Sequence, residues 1–140
     1  MSRTDHKGAF IIEGNSFSKE ALMAHCHMMV HDCKNPDWYR KVFQFMEAFL
    51  DPASGPLIQR SSGTTGDPKT FELSREAMRA SAHKTLAFFG LKRGERVLLA
   101  LSVDYIAGKM MVVRALEGGL DLVLTEPSSR SLKNVQGEFY

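Results

Sequence analysis

The chain is poor in the features that mark most specialised protein classes. It has only two cysteines, too few for a disulfide framework. It has no excess of either charge. Eighteen Lys and Arg stand against sixteen Asp and Glu, so no basic footprint for nucleic acid exists. It lacks any run of about eighteen apolar residues, which argues against a membrane span. Its first residues, Met1-Ser2-Arg3-Thr4-Asp5-His6, are polar and contain no apolar signal core. Internal repeats and low-complexity segments are absent. What remains is 140 residues, enough for one domain, with 44% hydrophobic and 24% charged side chains, the composition of a soluble globular protein for which the cytoplasm is the default expectation.

The two cysteines sit in His25-Cys26-His27-Met28-Met29-Val30-His31-Asp32-Cys33. His27 and His31 share a helix face at i, i+4 spacing. The paired Cys-x-x-Cys or distal ligands of a zinc site are missing. We read a helix with histidines on its polar side and assign no metal.

Against this background one stretch stands out. Ser61-Ser62-Gly63-Thr64-Thr65-Gly66-Asp67-Pro68-Lys69 holds two glycines, four hydroxyls and a closing lysine. Glycine lets backbone amides approach an anion without a Cβ in the way. Hydroxyls donate to phosphate oxygens, and lysine adds a mobile positive charge. A Walker A loop needs its second glycine at position 68, where this chain has Pro68. Proline offers no N–H and keeps Asp67 out of helical geometry. Lys69 is followed by the alternating run Thr70-Phe71-Glu72-Leu73 and not by a helix. The loop therefore joins two strands, Leu57-Ile58-Gln59-Arg60 and Thr70-Phe71-Glu72-Leu73, as the tip of a β-hairpin.

The rest of the chain is punctuated clearly. A strand over Ala9-Phe10-Ile11-Ile12-Glu13 is closed by the turn residues Gly14-Asn15. Ser18 caps a helix running to about residue 30, with Glu20 in its first turn. Asn35 and Pro36 start a second helix as N-cap and first helical residue. Its core stripe is Trp38, Val42, Phe45, Met46, Phe49 and Leu50. Ser74 caps a third helix, stopped by Gly90, with Met78, Ala82, Leu86 and Phe89 inward. The apolar strand 96–101, a helix over 106–117 and the strand 120–124 read as a parallel βαβ unit. The tail 126–140 is polar. The organisation is one α/β unit, 1–140: an N-terminal strand and helices (1–56), the hairpin and βαβ unit (57–125), and the tail.

The motif Gly63-Thr64-Thr65-Gly66-x-Pro68-Lys69 resembles the phosphate-binding signature of the adenylate-forming enzymes, which include the acyl-CoA synthetases. The likeness extends from about residue 57 to 124. Within it, 99–116 is most similar to the o-succinylbenzoate–CoA ligases of menaquinone synthesis. The resemblance implies an incomplete N-terminal AMP-binding domain. Ser61, Ser62, Gly63, Thr64, Thr65, Gly66 and Lys69 would hold the phosphates of ATP, with Lys69 also serving catalysis. Tyr105 and Gly108 would line the acyl pocket, and Asp67 would face solvent. The implied reaction joins a small-molecule carboxylate to CoA through an acyl-adenylate, using ATP and Mg²⁺.

Other family elements are not found in the chain: the aromatic-Gly-x-Thr-Glu motif, the ribose-binding aspartate and the lid lysine. We therefore expect a fragment that is inactive alone. Two alternatives stay open. One is a stand-alone nucleotide or anion binding module. The other is an interaction domain without catalysis, self-associating through strand 120–124 as an exposed edge.

Overall fold

The computed structural model describes residues 9–61 and 69–127. The polypeptide opens with a tight hairpin, β1 (Phe10–Ile12) and β2 (Asn15–Phe17), paired antiparallel with Ile12 opposite Asn15. The two turn residues are Glu13 (φ 49°) and Gly14 (φ 82°). Positive φ at both central positions is the type I′ geometry that matches strand twist. The turn thus falls one residue earlier than the expected Gly14-Asn15, and Asn15 belongs to a strand that sequence alone does not reveal. The Asp121 carboxylate accepts from the Gly14 amide at 2.8 Å and steadies this turn.

Helix α1 (Lys19–His31) starts where expected, with the Ser18 hydroxyl accepting from the Ala21 amide at 3.1 Å. Helix α2 (Asp37–Leu50) is capped by Pro36, not Asn35. The Asn35 side chain turns back and donates to the Met29 carbonyl at 3.1 Å, satisfying the end of α1 instead. Helix α2 carries the densest apolar face. Val42, Phe43, Phe45, Met46, Phe49 and Leu50 are buried and Trp38 is half-buried. The aromatic stripe is core, and Phe43 joins it unforeseen. Burying a residue such as Phe43 or Phe49 contributes on the order of 2–3 kcal/mol.

Strands β3 (Leu57–Ser61) and β4 (Lys69–Leu73) form a separate two-stranded antiparallel sheet, as read from the sequence. Helix α3 (Arg75–Phe89) is capped by Ser74 and ended by Gly90 in the left-handed conformation (φ 64°). Met78, Ala82 and Leu86 are buried, but Phe89 is not: it is 67% exposed. Its ring sits at the rim of an open groove formed with Thr85, Leu91, Val97, Met111 and Leu120, so solvent reaches it.

Strand β5 (Arg96–Leu99), helix α4 (Ile106–Gly118) and strand β6 (Asp121–Leu124) form the parallel βαβ unit. Strand β5 stops two residues before Leu101 because its partner ends at Leu124, opposite Leu99. Leu101 is half exposed as a result. The main sheet runs β2-β1-β6-β5. Strand β6 is therefore interior, flanked by β1 and β5 through parallel pairing on both sides. The expectation that it offers an exposed edge fails, because the N-terminal strand returns across more than a hundred residues to cover it. Helices α1 and α2 pack together, as do α3 and α4, and one buried cluster unites the elements. No helix among the described residues is long and apolar enough to cross a membrane.

Candidate functional site

The hairpin presents the ends of the glycine-rich stretch side by side. Ser61 and Lys69 are register partners, and the Ser61 hydroxyl donates to the Lys69 carbonyl at 3.3 Å. Lys69 is exposed. The other expected loop residues, Ser62, Gly63, Thr64, Thr65 and Gly66, together with Asp67, lie outside the described residues. The ladder around them brings one hydroxyl and one ammonium-bearing residue to the mouth of the same turn.

Two contacts anchor this small sheet to the rest of the molecule. Gln59 points inward from β3 and is 4% exposed, the one buried polar side chain among the described residues. Its Nε2 donates to the Arg60 and Asp104 carbonyls, each at 3.0 Å. Its Oε1 accepts from the Lys109 ammonium at 2.7 Å. At the far end of β4, Arg75 reaches from the first turn of α3 to the end of α2. Its guanidinium donates to the carbonyls of Ala48 (2.7 Å), Gly55 (2.8 Å), Phe49 (3.1 Å) and Asp51 (3.4 Å), and to the Ser54 hydroxyl (3.3 Å). One cation thus satisfies carbonyls that a helix C-terminus leaves without partners.

The second expected site lies on the β5–α4 connection. The Ser102 hydroxyl accepts from the Asp104 amide at 3.0 Å, and the Ser102 carbonyl accepts from the Tyr105 amide at 3.2 Å. Tyr105 occupies the N-cap position of α4 without a side-chain cap and is 63% exposed. It lines a surface depression of about 520 Å³ with Ala100, Leu101, Ser102, Asp104 and Pro127. This depression lies beyond the carboxyl end of β5, where open parallel sheets commonly place ligands. Gly108 is buried one turn into α4, where any Cβ would collide with the Ser102 carbonyl oxygen. In this structure Gly108 permits close approach of helix and loop.

Lys109 links the two sites. Its ammonium donates to Gln59 Oε1 and to the Val103 carbonyl, both at 2.7 Å, and lies 5.9 Å from the centre of the Phe45 ring. Partial burial holds its pKa below the usual lysine value, and the nearby Asp104 charge opposes that shift. Lys41 donates to the Asp104 carboxylate at 3.2 Å, and this bond raises its pKa. Sequence reasoning missed Gln59, Asp104, Lys109 and Arg75. Two faint signals exist. Gln59 takes the same strand parity as buried Leu57, and Lys109 interrupts the apolar run Ile106-Ala107-Gly108-Met110-Met111.

The His25–Cys33 segment is quieter. His27 and His31 stack with ring centroids 4.2 Å apart, and His31 Nδ1 lies 2.9 Å from the His27 carbonyl. Cys26 is buried, and desolvation pushes its thiol pKa up to about 12, while Cys33 is exposed. Among the described residues, no group of three or more His, Cys, Asp or Glu side chains is placed to hold a metal.

Solved structures give the clearest comparison. An AMP-forming acyl-CoA synthetase/AMP-acid ligase II-like protein of Dyadobacter fermentans matches 81% of this chain at 32% identity, with a TM-score of 0.66. An o-succinylbenzoate CoA synthetase of Bacillus subtilis matches 86% at 15% identity and a TM-score of 0.62, a likeness of fold alone. The chain spans about a third of the first protein (32%) and 41% of the matched chain of the second. No protein-family model and no curated protein matches the sequence significantly. The fold is that of part of the N-terminal domain of an adenylate-forming enzyme.

Proposed function

We propose that this chain is the phosphate-loop portion of an ATP-dependent carboxylate–CoA ligase. The carrying observation is the β3–β4 ladder, which closes on Ser61 and Lys69 at either side of the glycine-rich stretch. The ladder supports a hairpin loop and opposes a strand-to-helix P-loop. The likeness at 32% identity to an AMP-forming synthetase points the same way.

In this reading Ser61, Ser62, Thr64 and Thr65, with the amides of Gly63 and Gly66, hold the β- and γ-phosphates of ATP. Lys69 offsets charge as pyrophosphate leaves, the step where fixed donors lower the barrier most. Its exposed position, next to the Ser61 hydroxyl, suits an anion and not a bare cation. Mg²⁺ would accordingly arrive with the phosphates, neutralising their oxygens. Tyr105 forms one wall of the acyl pocket. In this reading the carboxylate is o-succinylbenzoate, which the sequence likeness over 99–116 supports, and the enzyme serves menaquinone synthesis in the cytoplasm.

Titration of the chain with ATP·Mg²⁺ and with pyrophosphate tests the site. Both should bind saturably, and Lys69→Ala should weaken both about tenfold, the loss of one charge-assisted contact. Absence of binding, or an unchanged affinity in Lys69→Ala, refutes the phosphate-loop reading. The chain alone should show no carboxylate-dependent ATP–pyrophosphate exchange; measurable exchange would show that it needs no further segment.

A further inference from the structure

Beside the hairpin lies a cleft that the nucleotide reading does not use. It has a volume of about 430 Å³ and is lined by Lys41, Ile58, Arg60, Asp104 and Lys109. It continues into a groove of about 390 Å³ that shares Lys41, Ile58, Asp104 and Lys109 and is floored by apolar side chains, including Phe45 and Leu57. Three cations and one carboxylate face this space, a formal balance of three minus one, or +2.

The charges are not equivalent. Asp104 is already answered by Lys41 at 3.2 Å. Lys41 also lies 3.4 Å from Asp37, an exposed acid that Arg40 shares at 3.8 Å. The excess therefore rests on Arg60 and Lys109. Arg60 projects from the exposed face of β3 and has no ion-pair partner among the described residues. Lys109 is held rigidly. Two of its three ammonium hydrogens are taken by Gln59 Oε1 and the Val103 carbonyl, and one remains. Neither of those acceptors carries a charge, and the nearby Asp104 carboxylate is already shared with Lys41 at 3.2 Å, so the ammonium is solvated by dipoles and only partly neutralised. A half-buried cation that shares its nearest carboxylate with another lysine is costly, and an arriving anion relieves that cost.

We infer that this cleft binds a compact dianionic oxyanion group, a phosphomonoester or a short dicarboxylate, between the Arg60 guanidinium and the Lys109 ammonium. Arg60 supplies a planar fork suited to two oxygens, and Lys109 supplies a fixed point charge. Asp104 sets the selectivity: with Lys41 it cancels one charge, so a doubly charged group fits better than a more highly charged one. None of the residues lining the cleft is one assigned to the phosphates of ATP, although Arg60 directly precedes Ser61.

The test is a ¹⁵N NMR titration of the full chain with inorganic phosphate and, separately, with malonate, at constant ionic strength. Gln59 side-chain and Arg60 and Asp104 backbone amides report on the cleft. Gly63 and Gly66 amides report on the loop, so the two sites are read apart. Saturable shifts at the cleft reporters are expected. Phosphate alone acting there assigns a phosphomonoester; malonate alone assigns a dicarboxylate; both assign the dianionic class.

Arg60→Gln, an exposed change that leaves the core intact, should weaken binding about tenfold. Asp104→Asn should tighten it about threefold, since it removes a repelling charge while keeping the backbone contact to Gln59. Lys84→Gln on the exposed face of α3 should change nothing beyond twofold, within the screening of remote charges. Cleft reporters that do not saturate, an Arg60→Gln affinity equal to the wild type, or a weakened Asp104→Asn would each overturn the assignment.

Discussion

The β3–β4 hairpin and the β5–α4–β6 unit are built from strands of similar length but are held in place by different physics. In β5 and β6, Val97, Leu98, Leu99, Leu122 and Leu124 are buried, and parallel neighbours fix the register. Among the described residues of the hairpin only Leu57 and Gln59 are buried, while Ile58 and Phe71 are about half exposed. Its placement depends on a handful of polar contacts: Gln59 with Asp104 and Lys109 at one strand, Arg75 with the end of α2 just beyond the other. Apolar burial is non-directional and tolerates small shifts. Hydrogen bonds from a buried amide and a guanidinium do not. The element that carries the proposed phosphate loop is thus lightly packed but sharply oriented.

The contrast is broken most directly by truncating one side chain in each region. Leu122→Ala, at a fully buried position of interior β6, should cost about 2–5 kcal/mol. Phe71→Ala, half exposed in β4, should cost less than about 1 kcal/mol, in the range of surface substitutions. Urea unfolding of both variants decides the matter; equal losses would show that the hairpin is as tightly packed as the main sheet.

Gly108→Val tests the junction between the regions. Its Cβ meets the Ser102 carbonyl, so α4 or the loop bearing Asp104 and Tyr105 must shift. We expect a loss of about 3 kcal/mol, the upper end for overpacking. A loss below about 1 kcal/mol would mean that the loop relaxes freely.

Next comes the polar anchor. Gln59→Leu and Lys109→Met should each destabilise by about 1–3 kcal/mol, and the double variant by less than their sum. Full additivity in that cycle would show that the 2.7 Å contact between them contributes nothing.

The smallest effect sharpens the comparison from outside both regions. In α1, burial raises the Cys26 thiol from 9.0 to about 12, whereas Cys33 is exposed. A folded-state value above the unfolded one contributes stability that is complete below pH 9 and lost as pH climbs towards 12. The urea midpoint should therefore fall more steeply from pH 8.5 to 10.5 in the wild type than in Cys26→Ala. Equal slopes would mean that Cys26 is not sheltered in the folded state. Alkylation at neutral pH should label Cys33 and spare Cys26.

Much of the local structure was legible in the sequence because its causes are local. Ser18 and Ser74 cap helices through hydroxyls that reach amides three residues on. Gly90 ends α3 because a left-handed residue is needed there. Pro68 rules out a Walker loop, and the alternation on either side of it places β3 and β4 within a residue. The α2 stripe is core because its spacing lays it on one face.

What tertiary structure alone decided lies between residues far apart in the chain. The pairing of Ile11 with Asp121 makes β6 interior, which no window around residues 120–124 can reveal. Gln59 and Lys109, fifty positions apart, meet only once β3 and α4 are packed. Arg75 abandons its own helix for the carbonyls of another. Propensity and periodicity act over a few residues, so they dictate which segments coil or extend. The order of strands and the partners of buried polar groups follow from burying the whole apolar surface at once, and that condition is satisfied only by the assembled fold.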